Sequence, residues 1–491
     1  MKFLLAIVAA AAAFVAQAWP QDVSLWRGET LHVHVMDVVD LGPAPAPLSV
    51  REGCLKEVRF RPDRLKFVYA SASDKVDWNG WTEGPRIVEI YAPPETKAGM
   101  YKCGDLNIRV VDRVLPPPSE WKYVLDLWQH PWAIARAANV KPFTPEYYKA
   151  ARPVYETLAT AGQKFITATI VDRPWNSQCY DAYGTMVRHV KTADGKWRFD
   201  YKDFDEYVEF AKSCGIGPYI ACYTLCTWGN VVRWEDEKGE EHSAEAPAGS
   251  EAFKEYWGDF LVDFAAHLKA KGWFEITYIA MDERSPEEVK AIADFMHEKA
   301  PGMKMSMAGN RKPSDFDGIK IDCYSQIIYD VDESLLAAAQ ERRANGEITT
   351  FYVCSAPVEP NTHLTSGEEE SFGVGFYPAA FGLDGFLRWA WNCWGREPWG
   401  EKPRNDVTVD VLRDKNQGNF FLCYPDGAPS WRFLKLRQGI VAAEKARILR
   451  SEGLFTKELD ALKAVFDYKN KKRPTFKSAA DRTRTLVNRE K

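Results

Sequence analysis

The sequence predicts an α/β fold, a (β/α)8 TIM barrel preceded by a small N-terminal β-sandwich. Three observations indicate this architecture. The 491-residue chain is longer than one ordinary domain and leaves room for a barrel of roughly 250 to 350 residues and an accessory module. Short β-type runs fill the first part of the chain, and after three consecutive prolines strand-like runs alternate with longer amphipathic segments.

Residues 1–18, MKFLLAIVAAAAAFVAQA, have the pattern of a secretory signal peptide. A Lys follows the start Met, the apolar stretch is short, and the triplet Ala16, Gln17, Ala18 is small-x-small. We therefore expect cleavage after Ala18 and a secreted or periplasmic protein. A retained membrane anchor is the alternative, and it is disfavoured because no charged stop-transfer flank follows. No later segment is long and apolar enough to cross a bilayer, so no stable membrane insertion is expected after cleavage.

Residues 19–115 are predicted to form the β-sandwich domain. Runs such as LHVHVMDVV, LKFVYA, RIVEIYA and LNIRVVD are separated by Pro and Gly, which is typical of short strands joined by turns. Pro116, Pro117 and Pro118 then make a stiff linker. Cys54 and Cys103 both lie in this region, and the sequence leaves open whether they pair.

Residues 119–455 are predicted to form the barrel, because strand-like runs can be counted eight times along them. The runs are YVLDLW (123–128), KFITATIV (164–171), PYIACY (218–223), EITYIAM (275–281), KMSMAG (304–309), GIKIDCY (318–324), TTFYVCS (349–355) and GFLRWAWNCW (385–394). Helical segments are expected at 146–161, 203–213, 252–270, 286–299 and 332–344, with little room for a helix in the fifth unit. Eight strands favour a closed barrel over an open sheet. The charged, Lys-rich residues 456–491 predict a solvated helix or tail.

Composition narrows the class of ligand. A net charge of -5, from 64 basic and 69 acidic residues, lacks the basic excess of a nucleic-acid binder. Aromatic residues make up 13% of the chain, and many of its 18 Trp lie in predicted loops, which favours flat amphipathic ligands such as sugars. Among the cysteines, the nearest triplet, Cys214, Cys222 and Cys226, has no His partner at zinc-site spacing. No metal and no other cofactor is therefore predicted.

The stretch TYIAMDERSPEEV (277–289) ends an apolar run in two adjacent carboxylates, Asp282 and Glu283. Like charges side by side in a low-dielectric pocket raise at least one pKa, so the arrangement is unfavourable unless the chemistry requires it. The alternative is a surface turn that opens a helix, with Ser285 as N-cap and Pro286 at the first position. In a barrel the pair would lie just beyond the fourth strand, on the face where barrel enzymes build their sites.

Four aromatic-rich segments are predicted on the same face, which is where a sugar would lie. They are WQHPW (128–132), RPWNSQCYDAYG (173–184), TLCTWGNVVRW (224–234) and WAWNCW (389–394). From two of these segments we select candidate sugar contacts, namely Gln178, Asp181, Trp389, Trp391, Asn392 and Trp394. For each Trp the alternative is ordinary packing, since strand residues alternate between the two faces.

Adjacent carboxylates suit one form of glycoside cleavage better than the other. Ordinary retaining enzymes place two carboxylates about 5 to 5.5 Å apart on opposite sides of the sugar, which neighbouring residues cannot easily do. A substrate 2-acetamido group can supply the nucleophile instead. Asp282 would then orient the amide and Glu283 would act as acid and then base. Tyr324, at the predicted end of the sixth strand, is the candidate donor to the acetamido carbonyl, with an ordinary rim tyrosine as the alternative.

Several blocks, in order, resemble glycoside hydrolase family 123. They are LDLWQHPWAIAR (125–136), the stretch from 158 to 187, FDYKDFDEYVEFA (199–211), YIAMDE, DGFLRWAWNCW (384–394) and FFLCYPDGAPSWRFLKLRQGI (420–440). The resemblance implies an exo-acting β-N-acetylgalactosaminidase in which a β-sandwich precedes the barrel and configuration is retained through the acetamido group. The family's adjacent Asp and Glu match Asp282 and Glu283.

We therefore expect a secreted hexosaminidase that removes terminal β-linked GalNAc from glycans or glycolipids. One alternative is a β-hexosaminidase that also accepts GlcNAc, because the C4 hydroxyl is recognised by loop contacts. A second alternative is a non-catalytic glycan-binding protein on a barrel scaffold, which the carboxylate pair disfavours. The sequence gives no indication of the oligomeric state.

Overall fold

A computed structural model describes residues 22–35, 41–55, 59–63, 66–71, 74–80, 85–176, 178–316, 318–364, 366–394 and 420–490. Counting only described residues, the chain divides into two compact units. One unit takes its residues from Met1–Leu55, Asp77–Leu115 and Asn488–Lys491, and the other from Lys56–Val76 and Pro116–Val487. The predicted signal peptide, residues 1–18, lies outside the described residues.

The N-terminal part of the chain is built from short strands, as predicted. They are β1 (Asp22–Arg27), β2 (Thr30–Val35), β3 (Ser49–Leu55), β4 (Arg59–Asp63), β5 (Lys66–Ser71), β6 (Val76–Asp77), β7 (Arg86–Tyr91), β8 (Gly99–Cys103) and β9 (Leu106–Val114). They form sheets in the orders β1-β9-β8 and β2-β7-β3-β6, with β4 and β5 as a separate hairpin. Val23, Leu25, Ile90 and Ile108 share one apolar core between the two larger sheets. The predicted sandwich is confirmed.

Cys54 and Cys103 are both buried, and neither takes part in a disulfide. The Cys103 thiol donates a hydrogen bond to the Gly42 carbonyl, 3.2 Å away. The structure therefore contains no disulfide between these two residues.

Eight parallel strands form the barrel. They are β10 (Val124–Leu127), β11 (Phe165–Thr169), β14 (Tyr219–Tyr223), β17 (Thr277–Asp282), β18 (Lys304–Gly309), β19 (Cys323–Ile327), β20 (Ile348–Tyr352) and β21 (Gly385–Arg388). Their order around the sheet is β10-β21-β20-β19-β18-β17-β14-β11. A parallel bridge from Leu125 to Gln163 links β10 to the start of β11, and the Lys164 amide donates to the Leu125 carbonyl at 2.9 Å. The predicted eight-stranded barrel is confirmed.

Helices separate the barrel strands, and the second to the sixth of them occupy the segments that the amphipathic pattern predicts, whereas the first, seventh and eighth were not predicted. They are α1 (Pro131–Ala138), α2 (Pro145–Ala159), α3 (Lys202–Ser213), α4 (Glu251–Lys271), α5 (Pro286–Lys299), α6 (Glu333–Ala344), α7 (Glu370–Phe381) and α8 (Trp431–Ser451). The fifth unit has only the short 3-10 helix Pro313–Phe316, as its length predicted. A second sheet of β12 (Arg188–Lys191), β13 (Trp197–Asp200), β15 (Val231–Asp236) and β16 (Glu241–Glu245) extends from the loops after β11 and β14.

Residues 456–491 were predicted to form a solvated helix or tail; they do form helices, but the prediction that these are solvated is wrong. Residues after 455 form α9 (Thr456–Asp460), α10 (Leu462–Phe466) and α11 (Phe476–Val487), whose apolar side chains are buried. The abundance of Lys conceals an amphipathic pattern, since Leu459, Leu462, Phe466 and Phe476 lie on the inner faces of these helices. Among the described helices, none combines the length and apolarity that a bilayer crossing requires.

Strand alternation decides which residues face the barrel interior. Tyr278 and Ala280 of β17 belong to the interior core, so Asp282 has the same parity. Ile348 and Tyr352 of β20 also contact this core. The ends of β17 and β20 therefore direct Asp282 and Tyr352 into the mouth of the barrel.

Candidate active site

Asp282 and Glu283 occupy the carboxyl end of β17, as predicted. Asp282 is the last residue of the strand, and Glu283 has a positive φ of 49°. The Glu283 amide donates to the Ala308 carbonyl of the neighbouring strand at 2.8 Å, which holds the turn in place. In an extended strand Glu283 would point away from the interior, so this left-handed turn allows both carboxylates to reach the same opening.

The alternative interpretation, a helix start, holds as well. The Ser285 hydroxyl caps α5, Pro286 is its first residue, and Glu288 completes a capping box. A helix that begins three residues after the pair fixes the chain on its far side. The same short stretch therefore starts a helix and presents two carboxylates.

Asp282 is half-buried, and its pKa is unusually high for a carboxyl group. Burial, and then the charge of Glu283, raise its pKa to about 7, against the opposing effects of Arg284 and the Trp175 indole. The Trp175 N–H donates to Asp282 Oδ2 at 3.0 Å. The expectation that the pair raises at least one pKa is met at Asp282.

Glu283 is exposed, and its carboxylate is oriented by a tyrosine. The Tyr352 hydroxyl donates to Glu283 Oε1 at 2.6 Å. Burial and the Glu283 charge hold the pKa of Tyr352 well above its ordinary value, so the hydroxyl keeps its proton. The sequence analysis missed this residue because the predicted seventh strand, 349–355, ran past Tyr352, which is the last residue of the true strand.

Four buried aromatic rings, called the aromatic wall below, pack on one another next to Asp282. Trp128 lies 4.6 Å from Tyr223 and 5.3 Å from Trp175, measured between ring centroids. Trp175 in turn lies 4.8 Å from Tyr183 and 4.9 Å from Tyr223. These rings come from the ends of β10 and β14 and from the segment after β11, so three barrel units build one wall. The packed rings fix the position of Trp175, whose indole N–H donates to Asp282.

A further carboxyl lies beneath this wall. Asp126 of β10 is buried, and burial raises its pKa to about 7 despite a hydrogen bond from the Trp128 N–H to Oδ2 at 3.3 Å. Among the atoms of the described residues, its Oδ1 has no hydrogen-bond partner. Asp126 is therefore a second interior carboxyl that is largely protonated below neutral pH.

The structure does not bring Tyr324 to the site. The sixth strand covers Cys323–Ile327, so the predicted strand end at Tyr324 is wrong. Cys323 and Ile327 face the interior, which turns Tyr324 outward. Its buried hydroxyl donates to the Arg311 carbonyl at 2.6 Å. The polar residues that follow Tyr324 in the strand hid its true extent.

Gln178 and Asp181 lie in the segment after β11, close in sequence to Trp175 and Tyr183. Gln178 is exposed. Both carboxylate oxygens of Asp181 accept from Arg136 Nε at 2.8 Å, so Asp181 is engaged in an ion pair. The carboxylate of Asp181 is therefore directed to α1, and the sugar contact proposed for this residue stays a prediction.

Of the four candidate sugar contacts in the segment after β21, one is partly exposed and three are buried. Trp389 is partly exposed and packs against the interior core. Trp391 is fully buried and contacts Phe433 of α8. Asn392 is buried with its amide bonded to the main chain of His130, and the buried Trp394 donates to the Cys423 carbonyl at 2.7 Å. Only Trp389 of these four candidates remains available to a sugar.

A closed (β/α)8 barrel with a carboxylate pair and an aromatic wall at the carboxyl ends of its strands has the architecture of a glycoside hydrolase. The family description "Glycoside hydrolase 123, catalytic domain" matches residues 128–449. This match covers more than half of the chain, so the protein belongs to glycoside hydrolase family 123.

One solved structure agrees with the fold. A family 123 glycoside hydrolase from Clostridium perfringens, studied for glycolipid glycan hydrolysis, superposes with a TM-score of 0.75 at 22% identity, over 95% of this chain and 93% of that chain. The GH39 enzyme from Xanthomonas axonopodis pv. citri gives a TM-score of only 0.39 at 10% identity, over 68% of each chain. A search of curated proteins gives no match.

Proposed function

We propose that the protein is an exported, exo-acting β-N-acetylgalactosaminidase that retains configuration through the 2-acetamido group of its substrate. The observation that carries this proposal is the adjacency of Asp282 and Glu283 at the end of one strand. Two consecutive residues are poorly placed to attack a sugar from one side and protonate it from the other. An internal nucleophile removes that requirement. Export rests on the signal-like residues 1–18.

In this mechanism Asp282 binds the acetamido N–H and never bonds to the sugar. The amide carbonyl oxygen attacks the anomeric carbon, and the resulting oxazolinium ion is positively charged. An ionised Asp282, held by the Trp175 indole, offsets that charge in a site of low polarity. A pKa of about 7 leaves Asp282 ionised in neutral to alkaline solution.

Glu283 protonates the leaving oxygen and then removes a proton from the incoming water. Its exposure suits this role, because the aglycone and the water arrive from solvent. The Tyr352 hydroxyl orients the carboxylate in the unliganded site. With sugar bound, Tyr352 is the proposed donor to the acetamido carbonyl, the role predicted for Tyr324.

Terminal β-GalNAc of glycans or glycolipids is the proposed substrate. Support comes from family membership and from the similar Clostridium perfringens enzyme, which was studied for glycolipid glycan hydrolysis. A β-hexosaminidase that also accepts GlcNAc is the alternative within the same chemistry. A non-catalytic glycan-binding protein is disfavoured, because a binding site gains nothing from two adjacent carboxylates of which one has a strongly raised pKa.

Hydrolysis of 4-nitrophenyl β-glycosides of GalNAc, GlcNAc and galactose tests the proposal. We expect rapid release from the GalNAc substrate and slower or no release from the GlcNAc substrate. Glu283→Gln should lower activity in this assay. Glu287→Gln is its matched control, because Glu287 is also an exposed carboxylate and lies in the adjoining first turn of α5. Absence of hydrolysis of all three substrates would favour the glycan-binding alternative, and equal rates on both amino sugars would favour the broader hexosaminidase.

A further inference from the structure

Three side chains that are far apart in the sequence meet beside the aromatic wall. His130 follows β10, Cys179 lies in the segment after β11, and Cys393 follows β21. One ring nitrogen and the two sulfur atoms all lie within 4.8 Å of one another. His130 is 0%, Cys179 8% and Cys393 5% exposed, so the group is shielded from bulk water.

The imidazole of this group is held in one position by its neighbours. Its ring stacks on Tyr183 with centroids 3.7 Å apart and planes 16° apart. The Asn392 side chain accepts from the His130 amide at 2.8 Å and donates to its carbonyl at 3.0 Å. The ligand group is therefore largely fixed before any ion arrives, which lowers the entropy lost on binding.

The hydrogen bonds of the ring also fix its tautomer. Nε2 lies 2.9 Å from the Asp181 carbonyl, which can only accept, so Nε2 carries the hydrogen. Nδ1 keeps a lone pair and accepts only a long contact of 3.4 Å from the Ala133 amide. An imidazole that donates one N–H to a carbonyl and keeps a lone pair on the other nitrogen is the usual arrangement of a metal-bound histidine.

We propose that His130, Cys179 and Cys393 bind one thiophilic divalent cation, with Zn²⁺ as the ion that the ligands favour. Two thiolates and one imidazole prefer Zn²⁺ to the hard ions Mg²⁺ and Ca²⁺, which require oxygen ligands. Two thiolates also neutralise the charge of the ion, which a buried position requires. Three protein ligands leave a fourth position for water.

A second group of potential metal ligands in the described part of the chain is a weaker candidate for a metal site. Asp236, Glu240 and His242 also approach one another, but Glu240 and His242 are exposed. The Asp236 carboxylate accepts from the amides of Lys238 and Glu240, so the turn between β15 and β16 already accounts for it. No comparable local turn explains why His130, Cys179 and Cys393 converge.

The position of the proposed ion gives it a structural role. It would join the segments after the first, second and eighth barrel strands at one point. The second of these carries Trp175, whose indole donates to Asp282. Binding of the ion would therefore stabilise the wall of the active site without contact with the sugar. Sequence spacing could not reveal the group, because each ligand comes from a different barrel unit.

Anaerobic titration of the full chain with Co²⁺, after reduction and removal of bound metal, tests the proposal. We expect one equivalent to bind and to give a thiolate-to-cobalt charge-transfer band with the intense visible bands of tetrahedral cobalt. Zn²⁺ should displace the cobalt and raise the Tm. Cys393→Ser and Cys179→Ser should each weaken Co²⁺ binding by at least about tenfold. Cys214→Ser, which removes a buried thiol at the end of α3, should leave binding unchanged.

Two results would overturn the proposal. One is a wild-type titration without thiolate charge transfer, which decides the question even if the serine variants fail to fold. The other is a reduced wild-type protein that binds Co²⁺ no more tightly than the serine variants, with Cys179 and Cys393 joined in a disulfide before reduction. Peptide mapping of the alkylated protein identifies that disulfide.

Discussion

The turn after the fourth barrel strand and the segment after the eighth strand both contain residue types that bind sugars in other proteins. Only the first of them directs all of these side chains to the mouth of the barrel. In the turn, Asp282 and Glu283 both reach the mouth of the barrel because Glu283 adopts a positive φ. In the segment after β21, Trp391 and Trp394 are buried against other parts of the scaffold. The difference teaches that residue type suggests candidates, while strand parity and local backbone conformation select among them.

The largest expected effect is at Glu283. Glu283→Gln should lower turnover of a natural disaccharide by about 1,000-fold, within the range of general acid–base catalysis. Loss on an activated aryl glycoside should be much smaller, because such a leaving group needs little protonation. Steady-state kinetics on both substrates measure the contrast. An unchanged rate on the disaccharide would remove Glu283 from the acid–base role.

The sequence was sufficient for most of the barrel and for the carboxylate pair. Its eight strands could be counted because parallel strands buried on both faces are apolar throughout. The sixth strand was placed too early because the true strand, Cys323–Ile327, continues through the polar but buried Ser325 and Gln326. Tyr324 was selected because it ended a predicted strand, whereas the predicted seventh strand ran on past Tyr352 to residue 355.

The next effect in size concerns Asp282. Asp282→Asn should lower turnover by about 100-fold, because a neutral amide offsets the oxazolinium charge less well. Configuration should still be retained, since the acetamido group remains the nucleophile. Proton NMR of the first-formed anomer measures this. A covalent adduct on Asp282 after treatment with a 2-fluoro glycoside, detected by intact-protein mass spectrometry, would contradict the proposed role.

The raised pKa of Asp282 also predicts how stability depends on pH. Its folded-state pKa of about 7 lies above the ordinary value, so its contribution to stability is full below about pH 4 and is lost as the pH rises through 7. Asp282→Asn should therefore raise the free energy of unfolding at pH 8 by about 2 to 3 kcal/mol more than at pH 5. Denaturant unfolding at both pH values checks this. A gain that is larger at pH 5 would contradict the assignment.

Tyr352 and Tyr324 provide a matched pair of variants, for which the expected effect on kcat is smaller than at Asp282. Tyr352→Phe should lower kcat by about 10- to 100-fold, because the hydrogen bond to Glu283 or to the acetamido group is lost. Tyr324→Phe should leave kcat unchanged and lower stability by about 1 kcal/mol, since only its bond to the Arg311 carbonyl is lost. Kinetics and thermal unfolding of both variants distinguish the two roles. The reverse pattern would return Tyr324 to the site.

The central claim is that the substrate's own acetamido group is the nucleophile, and one inhibition measurement tests it most directly. A thiazoline analogue of GalNAc mimics the cyclised intermediate, whereas GalNAc is only the product. The ratio of their inhibition constants on the wild-type protein is the quantity to measure. The account predicts that the thiazoline binds at least about 100-fold more tightly, as intermediate-like ligands do. A thiazoline that binds no better than GalNAc would contradict it.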